Sequence, residues 1–480
     1  MKVFLSKYVR ASSLYVVIGL LPLTINILLL PLYLRYVSPE EYGYLALLNI
    51  YAVLFNAFSC LQLNISGSTQ YFSKGIDRET FRSAILSGSA VLILFWFGLF
   101  TLMGDIFFSF YKSNVVFFPL GISVLLTAAL GQLHACLFVF LKNEYRLKEL
   151  AVYSIGILSI SIISQLFLIS YIDLSVAGIV YGGLAAKALV TPLILFNYRK
   201  WFFGHGRAGF FNKKVRSYLR KGLGFSLPFL PTVLLFQAQK VGDRMILERF
   251  LPLEIIGQYT VLITLLGLPS LIINAVFNAI RPRILELLED KRDNLINQVE
   301  FFYVLGIIFI YLCTILVGSN LQWFTDNPKY IEIKQYLNLG VIVSLPASLL
   351  YFNHLRLMQR VQNKLIAFFA LYSFVLQLAL LLFLVPLFGI TAAFYAMGAA
   401  GSLTYFLNLY AANRNRSWEY LARQTPLLVF LILALFGMMS TSVGVTPTMS
   451  SISICLAGTL YILLILRKRR ITLKELYHLF

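Results

Sequence analysis

The chain has 480 residues, of which 59% are hydrophobic and only 12% are charged. Because an ordinary soluble domain carries about twice that charged fraction, the composition excludes a soluble multidomain protein and predicts lipid as the outer solvent. The net charge of +20 does not indicate nucleic-acid binding, since the basic residues concentrate on one side of the predicted membrane segments.

About fourteen apolar stretches approach the roughly 20 residues that a transmembrane helix needs. The first is longer than the apolar region of a cleaved signal peptide, so we expect a retained helix. The seventh is interrupted by charged residues. The chain is therefore predicted to be an all-α integral membrane protein with spans at 11–37, 43–66, 84–103, 115–141, 150–171, 174–196, 222–249, 255–280, 301–318, 335–355, 365–385, 388–411, 426–442 and 449–466.

The basic residues set the expected orientation. If the N-terminus is cytoplasmic, the segments on that side hold 32 of the 40 Lys and Arg residues and the outer segments hold six. Lys and Arg concentrate on the cytoplasmic side of membrane proteins, so both termini are predicted to be cytoplasmic.

The longest predicted cytoplasmic segment, residues 197–221, carries eight basic residues. It is typical of an orientation signal with an amphipathic surface helix, and a docking site for a substrate head group or a partner is the alternative. No outer segment is large enough for a soluble catalytic domain, and the chain has no phosphate-binding GxxxxGK[ST] loop.

The two halves of the chain resemble each other. This similarity predicts two parallel six-helix bundles around a central cavity, as in transporters whose halves rock about a site. The expected organisation is a bundle at 1–197, a basic linker at 198–221, a bundle at 222–412, and two further helices with a basic tail at 413–480. The matches are Arg35-Tyr36-Val37 with Arg249-Phe250-Leu251, Glu40 with Glu254, Gly43 with Gly257, Tyr153-Ser154 with Tyr372-Ser373, and Gly178-Ile179 with Gly389-Ile390.

Ionisable residues at membrane depth are functional candidates, because each costs about 2.5–3.5 kcal/mol to insert. Lys187 interrupts the sixth span, and Lys240, Asp243 and Arg244 interrupt the seventh. The second group has three interpretations: an ion pair that locks the helix, residues outside a helix that ends early, or a cationic lining for an anionic substrate.

Amides on apolar spans can hydrogen-bond sugar hydroxyls or hold helices together. Histidines can carry a coupling proton, so His134 and Asp243 are candidates for coupling, with a structural role as the alternative for His134. No metal or cofactor is expected, since the four cysteines lack metal-ligand spacing. The amides assigned to the cavity are Gln237, Asn26, Gln62, Asn274 and Asn278.

Two short segments carry a family resemblance. Asp243-Arg244-Met245-Ile246-Leu247, continuing through Gly257-Gln258-Tyr259, and Ser66-Gly67-Ser68-Thr69-Gln70-Tyr71-Phe72 resemble bacterial polysaccharide flippases. Those proteins belong to the multidrug/oligosaccharidyl-lipid/polysaccharide exporter superfamily. The predicted six-plus-six layout is similar to that superfamily as well.

The resemblance implies a flippase in the bacterial inner membrane for undecaprenyl-pyrophosphate-linked oligosaccharide, such as an O-antigen repeat unit for lipopolysaccharide or a capsule unit. It also implies a glycan polymerase and a chain-length regulator as partners. The alternatives are a drug/ion antiporter of the same superfamily, which normally has twelve helices, and a membrane-embedded glycan polymerase or glycosyltransferase, which would display acidic residues on an outer loop. A peptidoglycan-precursor flippase would have several arginines in its first helices, where this chain has only Arg35.

Overall fold

The computed structural model describes residues 29–73, 75–110, 115–203, 213–289, 293–320, 325, 327–360 and 362–412. Within these ranges the chain is helical, and ten of its helices are long and apolar enough to cross a membrane. The predicted all-α membrane fold is therefore confirmed. The predicted spans at 426–442 and 449–466, and most of the first span, lie outside the described residues.

Five of the ten membrane-length helices lie before residue 200, where shorter helices accompany them. The N-terminal elements are α1 (29–36), α2 (Pro39–Ser59), α3 (Leu63–Gln70), α4 (Arg78–Phe110), α5 (Leu120–Asn143), α6 (Leu147–Ser170), α7 (Ser175–Asn197) and α8 (Arg199–Phe203). Further along lie α9 (Lys213–Ser226), a 3-10 turn (Leu227–Phe229), α10 (Leu230–Glu248), α11 (Leu253–Glu289), α12 (Asp293–Ser319), α13 (Pro328–Ile331), α14 (Lys334–Ser348), α15 (Leu350–Gln359), α16 (Asn363–Phe388) and α17 (Ile390–Ala412).

The ten membrane-length helices coincide with predicted spans two to six and eight to twelve. One of the ten is the stretch Pro328–Gln359, which α13, α14 and α15 form together. The predicted seventh span also contains a helix, α10, but its charged residues keep it out of that set. The predicted start of this span, residue 222, lies in α9. The helix is interrupted between α9 and α10, because Pro228 and Pro231 lack the backbone N–H that the helical hydrogen bonds need.

The chain divides into two compact units, Met1–Gly257 and Gln258–Phe480. Helix α10 belongs to the first unit, where it packs against α2. The boundaries at 197 and 222 concern the sequence repeat, and they stay a prediction.

Helix positions repeat along the chain with a nearly constant offset. The starts of α2 and α11 are 214 residues apart, those of α4 and α12 are 215 apart, and those of α5 and α14 are 214 apart. The same holds for α6 and α16, at 216, and for α7 and α17, at 215. Each pair begins at corresponding places in two copies of one pattern, as the sequence similarity predicts.

Two glycines that match in this repeat contact each other. A Cβ atom on Gly43 would lie 2.1 Å from the carbonyl oxygen of Leu253, and one on Gly257 would lie 1.7 Å from that of Pro39. Leu253 and Pro39 are themselves 214 residues apart. The first turns of α2 and α11 therefore meet through a reciprocal backbone contact that only glycine permits.

A buried ion pair occurs at similar positions in each unit. In the first unit, Arg82 near the start of α4 pairs with Glu144 just after α5. In the second, Glu300 near the start of α12 pairs with Arg356 on α15, with Nη2 and Oε2 2.7 Å apart. Arg82 and Glu300 are 218 residues apart, and Glu144 and Arg356 are 212 apart. The two pairs thus have the same placement with the charges exchanged.

Helix breaks distinguish the two units. In the first, α2 ends at Ser59 and α3 begins at Leu63, with Leu61 and Gln62 between them in the left-handed backbone region at φ 47° and 61°. In the second, the corresponding α11 is continuous over 37 residues. There the break falls between α14 and α15, close to Pro346.

Candidate functional site

The seam between α5 and α7 holds the predicted cation Lys187. Its ammonium Nζ donates a hydrogen bond to the backbone carbonyl of Thr127, 2.9 Å away. A Cβ atom on Gly131 would lie 2.8 Å from that Nζ, so the absence of a side chain there makes room for the ammonium. Among the described residues, no carboxylate pairs with Lys187, although it lies at the middle of a membrane-length helix.

His134 joins the same seam through one hydroxyl. Its Nε2 lies 2.8 Å from Thr191 Oγ1, and Thr191 Oγ1 in turn donates to the carbonyl oxygen of Lys187 at 2.7 Å. A threonine hydroxyl has one proton to donate. Thr191 must therefore accept from His134, which fixes the ring proton on Nε2. The structure thus brings two predicted residues, Lys187 and His134, into one network.

The break between α2 and α3 contacts another side of the same stretch of α5. Gln62 bonds back to the carbonyl of Ala57 at 3.0 Å, and the Cys60 thiol donates to Gln132 Oε1 at a sulfur–oxygen distance of 4.0 Å. Gln132 directly follows Gly131. Interrupted helices at membrane depth satisfy their free backbone groups in protein or at a water-filled cavity, and they commonly mark transport sites.

Asp243 and Arg244 lie on α10 and are buried, with 6% and 8% of their surfaces exposed. Arg244 Nη1 is 3.6 Å from Asp243 Oδ1. An early end of the helix is excluded, because α10 continues to Glu248. The ion-pair interpretation fits this geometry. Gln237 is half-buried on the same helix.

The remaining predicted residues are distributed elsewhere. Asn274 on α11 is half-buried and lies near Tyr351 on α15, within the second unit. The side chains of Lys240 and Asn278, and all of Asn26, lie outside the described residues. No group of three His, Cys, Asp or Glu residues in the described part of the chain is placed to hold a metal ion.

Sequence reasoning missed several polar partners in the first unit. Gln165 on α6 accepts a hydrogen bond from the Tyr33 hydroxyl and donates to Ser161 Oγ at 2.7 Å. Ser161 and Gln165 stand four residues apart in an apolar span, a spacing that places them on one helix face. Thr127 and Thr191 carry no such signal, because threonine is common in membrane helices and only the partner Lys187 reveals their role.

No protein-family model matches the sequence, and no curated protein matches it. Solved structures do match. A structure described as the lipid II flippase MurJ in an inward closed conformation aligns over 95% of this chain and 99% of its own, with a TM-score of 0.62 and 15% identity.

Two multidrug transporter structures are also similar. An inward-facing MATE family transporter of the MOP superfamily aligns over 84% of this chain and 95% of its own, with a TM-score of 0.60 and 12% identity. A structure of the MATE multidrug transporter DinF-BH aligns over 85% and 96%, with a TM-score of 0.52 and 15% identity. The predicted resemblance is confirmed at the level of the fold: the chain is a multi-pass membrane protein with the architecture that these flippase and MATE structures share.

Proposed function

We propose that the protein is a flippase for undecaprenyl-pyrophosphate-linked oligosaccharide, such as an O-antigen or capsule repeat unit, in the bacterial inner membrane. The observation that carries this proposal is Lys187. Its ammonium lies at membrane depth and has only a carbonyl partner among the residues described. Ionisable groups in such positions normally serve a transport pathway.

The substrate's chemistry fits these groups. A sugar linked through a diphosphate presents two negative charges and many hydroxyls, and its isoprenoid tail can remain in the bilayer. In the proposed cycle, Lys187, Lys240 and Arg244 attract the diphosphate. The residues proposed to hydrogen-bond the sugar hydroxyls are Gln237, Gln62, Asn26, Asn274 and Asn278. The candidates for ion coupling are His134 and Asp243.

The fold supports the proposal, because one structure with the same architecture is a flippase for a lipid, lipid II. A multidrug/ion antiporter is the second candidate, since MATE transporters share the fold as well. The two differ in cargo. Only an antiporter would export a cationic dye in exchange for an ion that enters down its gradient. Only a flippase would move a lipid-linked glycan between leaflets.

Membrane potential gives the proposed transport a direction. With the cytoplasm negative, moving two negative charges outward is favourable by about 4–5 kcal/mol at 100 mV. We therefore expect a potential alone, without an ion gradient, to accelerate flipping. The test is protein in proteoliposomes with undecaprenyl-pyrophosphate-linked oligosaccharide, in which a membrane-impermeant glycosidase reports the exposed leaflet. A flipping rate that stays the same when the potential is collapsed contradicts potential-driven transport.

The assigned cations give the second test. Lys187→Ala and Arg244→Ala are each expected to lower surface glycan in cells and flipping in proteoliposomes. Both are measured per amount of folded protein, because Arg244→Ala also removes the guanidinium beside the buried Asp243. Lys148→Gln is the control, because Lys148 is an exposed lysine of the same unit. A Lys187→Ala/Arg244→Ala double variant that assembles glycan at the wild-type rate would reject the site. Under this proposal a glycan polymerase and a chain-length regulator act on the product.

A further inference from the structure

Helix α9 has two faces that differ sharply in what they contact. One face packs in the first unit against α3 and α4, where Val215, Gly222 and Ser226 are buried. The opposite face is exposed and carries every charged side chain of the helix. We call it the α9 basic face, and it consists of Lys213, Lys214, Arg216, Arg220 and Lys221.

The contacts of the packed face show which part of the membrane-length helix α4 lies beside α9. The ring of Tyr218 lies edge-on to Phe81 at 5.8 Å, and a Cβ atom on Gly222 would lie 2.8 Å from Ile85. Four residues along α9 thus match four residues along α4, so the helices run side by side in the same direction. Arg220 and Lys221 therefore stand level with residues 82–85, where the apolar part of α4 begins.

An ion pair fastens the start of α9. Lys214 Nζ lies 3.0 Å from Asp77 Oδ2, and the Asp77 backbone N–H donates to the Tyr218 hydroxyl at 3.1 Å. Hydrogen bonds from Thr80 and Lys214 lower the pKa of Asp77 to about 2. The remaining four cations of the basic face form no ion pair with any residue that the structure describes.

We propose that the α9 basic face binds the phosphate groups of anionic phospholipids in the leaflet on its side of the membrane. The helix contains no acidic residue, and its apolar face is already covered, so lipid tails have nothing to bind there. What the helix offers is a row of cations at the level where head groups lie. Clusters of four or more Lys and Arg beside a membrane helix attract anionic lipid surfaces, and arginine suits phosphate because its guanidinium donates two parallel hydrogen bonds. This inference does not depend on the proposed transport function.

The test compares two triple variants of the full-length protein that lose equal charge. Arg216→Gln/Arg220→Gln/Lys221→Gln removes the basic face, and Lys148→Gln/Lys200→Gln/Lys364→Gln removes three exposed lysines elsewhere. Purified protein in neutral detergent is titrated with phosphatidylglycerol or phosphatidylcholine, and the melting temperature reports binding. Each surface cation contributes about fivefold to affinity.

We expect phosphatidylglycerol, and not phosphatidylcholine, to raise the melting temperature of the wild type. The concentration for half the effect should rise at least tenfold in the α9 variant and stay within threefold in the control. The variant Arg216→Lys/Arg220→Lys keeps the positive charge, so it should bind phosphatidylglycerol nearly as the wild type does. This result would show that the loss in the triple variant comes from charge and not from misfolding.

Equal loss in both triple variants would overturn the proposal, as would equal stabilisation by both lipids. Inorganic pyrophosphate supplies the remaining comparison. If it displaces phosphatidylglycerol at low millimolar concentration from the wild type, the face is a diphosphate site and the phospholipid assignment is wrong.

Discussion

Each half of the chain has an ion pair near the start of a long helix, and the positions of the acid and the base are exchanged between the two halves. Arg82 on α4 meets Glu144 in the first unit, whereas Glu300 on α12 meets Arg356 in the second. The pair in the second unit is more deeply buried, with side chains 11% and 5% exposed against 11% and 22%. Each unit therefore places an acid against a base at these positions, and the side of the contact that carries the acid differs between the units.

The half-buried cation Lys187 has no such partner among the residues that the structure describes. Lys187 bonds to a carbonyl, whereas Arg82 and Arg356 each meet a carboxylate. The paired cations hold helix ends together. A cation without a carboxylate costs free energy to keep at that depth, and the proposed role in transport would account for that cost.

Removing Arg356 should have the largest effect on stability. Arg356→Ala leaves the Glu300 carboxylate buried without its guanidinium, and breaking a buried pair in this way costs roughly 3–5 kcal/mol. Thermal unfolding of the purified protein measures the loss. A Glu300→Arg/Arg356→Glu variant, which adopts the charge order of the first unit, should recover most of it. If the double variant melts as early as Arg356→Ala, the exchangeability of the two pairs is wrong.

Arg82→Ala should cost less, about 1.5–3 kcal/mol. Glu144 is more exposed than Glu300, and it keeps a hydrogen bond from the Tyr71 hydroxyl at 2.9 Å. The variant also loses the stacking of Arg82 on Trp201, at 4.0 Å from the ring centroid. The same unfolding assay ranks the two variants. A larger loss for Arg82→Ala than for Arg356→Ala would contradict the burial argument.

The matched glycines predict a steric effect. Gly257→Ala places a methyl group 1.7 Å from the Pro39 carbonyl oxygen, so the two helices must separate at a cost of about 1–3 kcal/mol. Gly98→Ala is the control, because nothing lies within 4 Å of its Cβ position. Ala should stabilise that helix by up to about 1 kcal/mol. Equal melting temperatures for the two alanine variants would show that the glycine contact is not close in solution.

Lys187→Met should leave stability within about 1 kcal/mol of the wild type, because it removes a half-buried charge that no carboxylate of the described residues compensates. Flipping in proteoliposomes should nevertheless fall at least tenfold. This result would separate Lys187 from the structural pairs. A drop in melting temperature comparable to that of Arg356→Ala would instead make Lys187 a structural residue.

The smallest predicted effect is a change in stability at low pH. The pKa of Asp77 is lowered to about 2, so its contribution to stability is complete above its ordinary pKa of 3.8 and disappears as the pH falls toward 2. Asp77→Asn should therefore melt slightly earlier than the wild type at pH 5 and at the same temperature near pH 2. Glu79→Gln, at an exposed neighbouring acid, is the control. A difference that persists unchanged at pH 2 would rule out the Lys214 ion pair as its cause.

The sequence alone determined the membrane fold, because hydrocarbon tolerates only apolar stretches of a certain length. Ten of the predicted spans appear at their expected places for that reason. The repeat was also readable, since matched positions such as Gly43 and Gly257 keep their residue type where the backbone leaves no room for another.

Tertiary structure decided everything that depends on a partner from a distant helix. The sequence identified Lys187 as a cation at membrane depth but could not show the Thr127 carbonyl and Gly131 that accommodate it, because any helix could have faced it. The helical pattern likewise cannot show that the second predicted span breaks at Leu61 and Gln62, since the residues on both sides of the break are helical. Length and hydropathy are properties of single segments, whereas a site depends on which segments pack together.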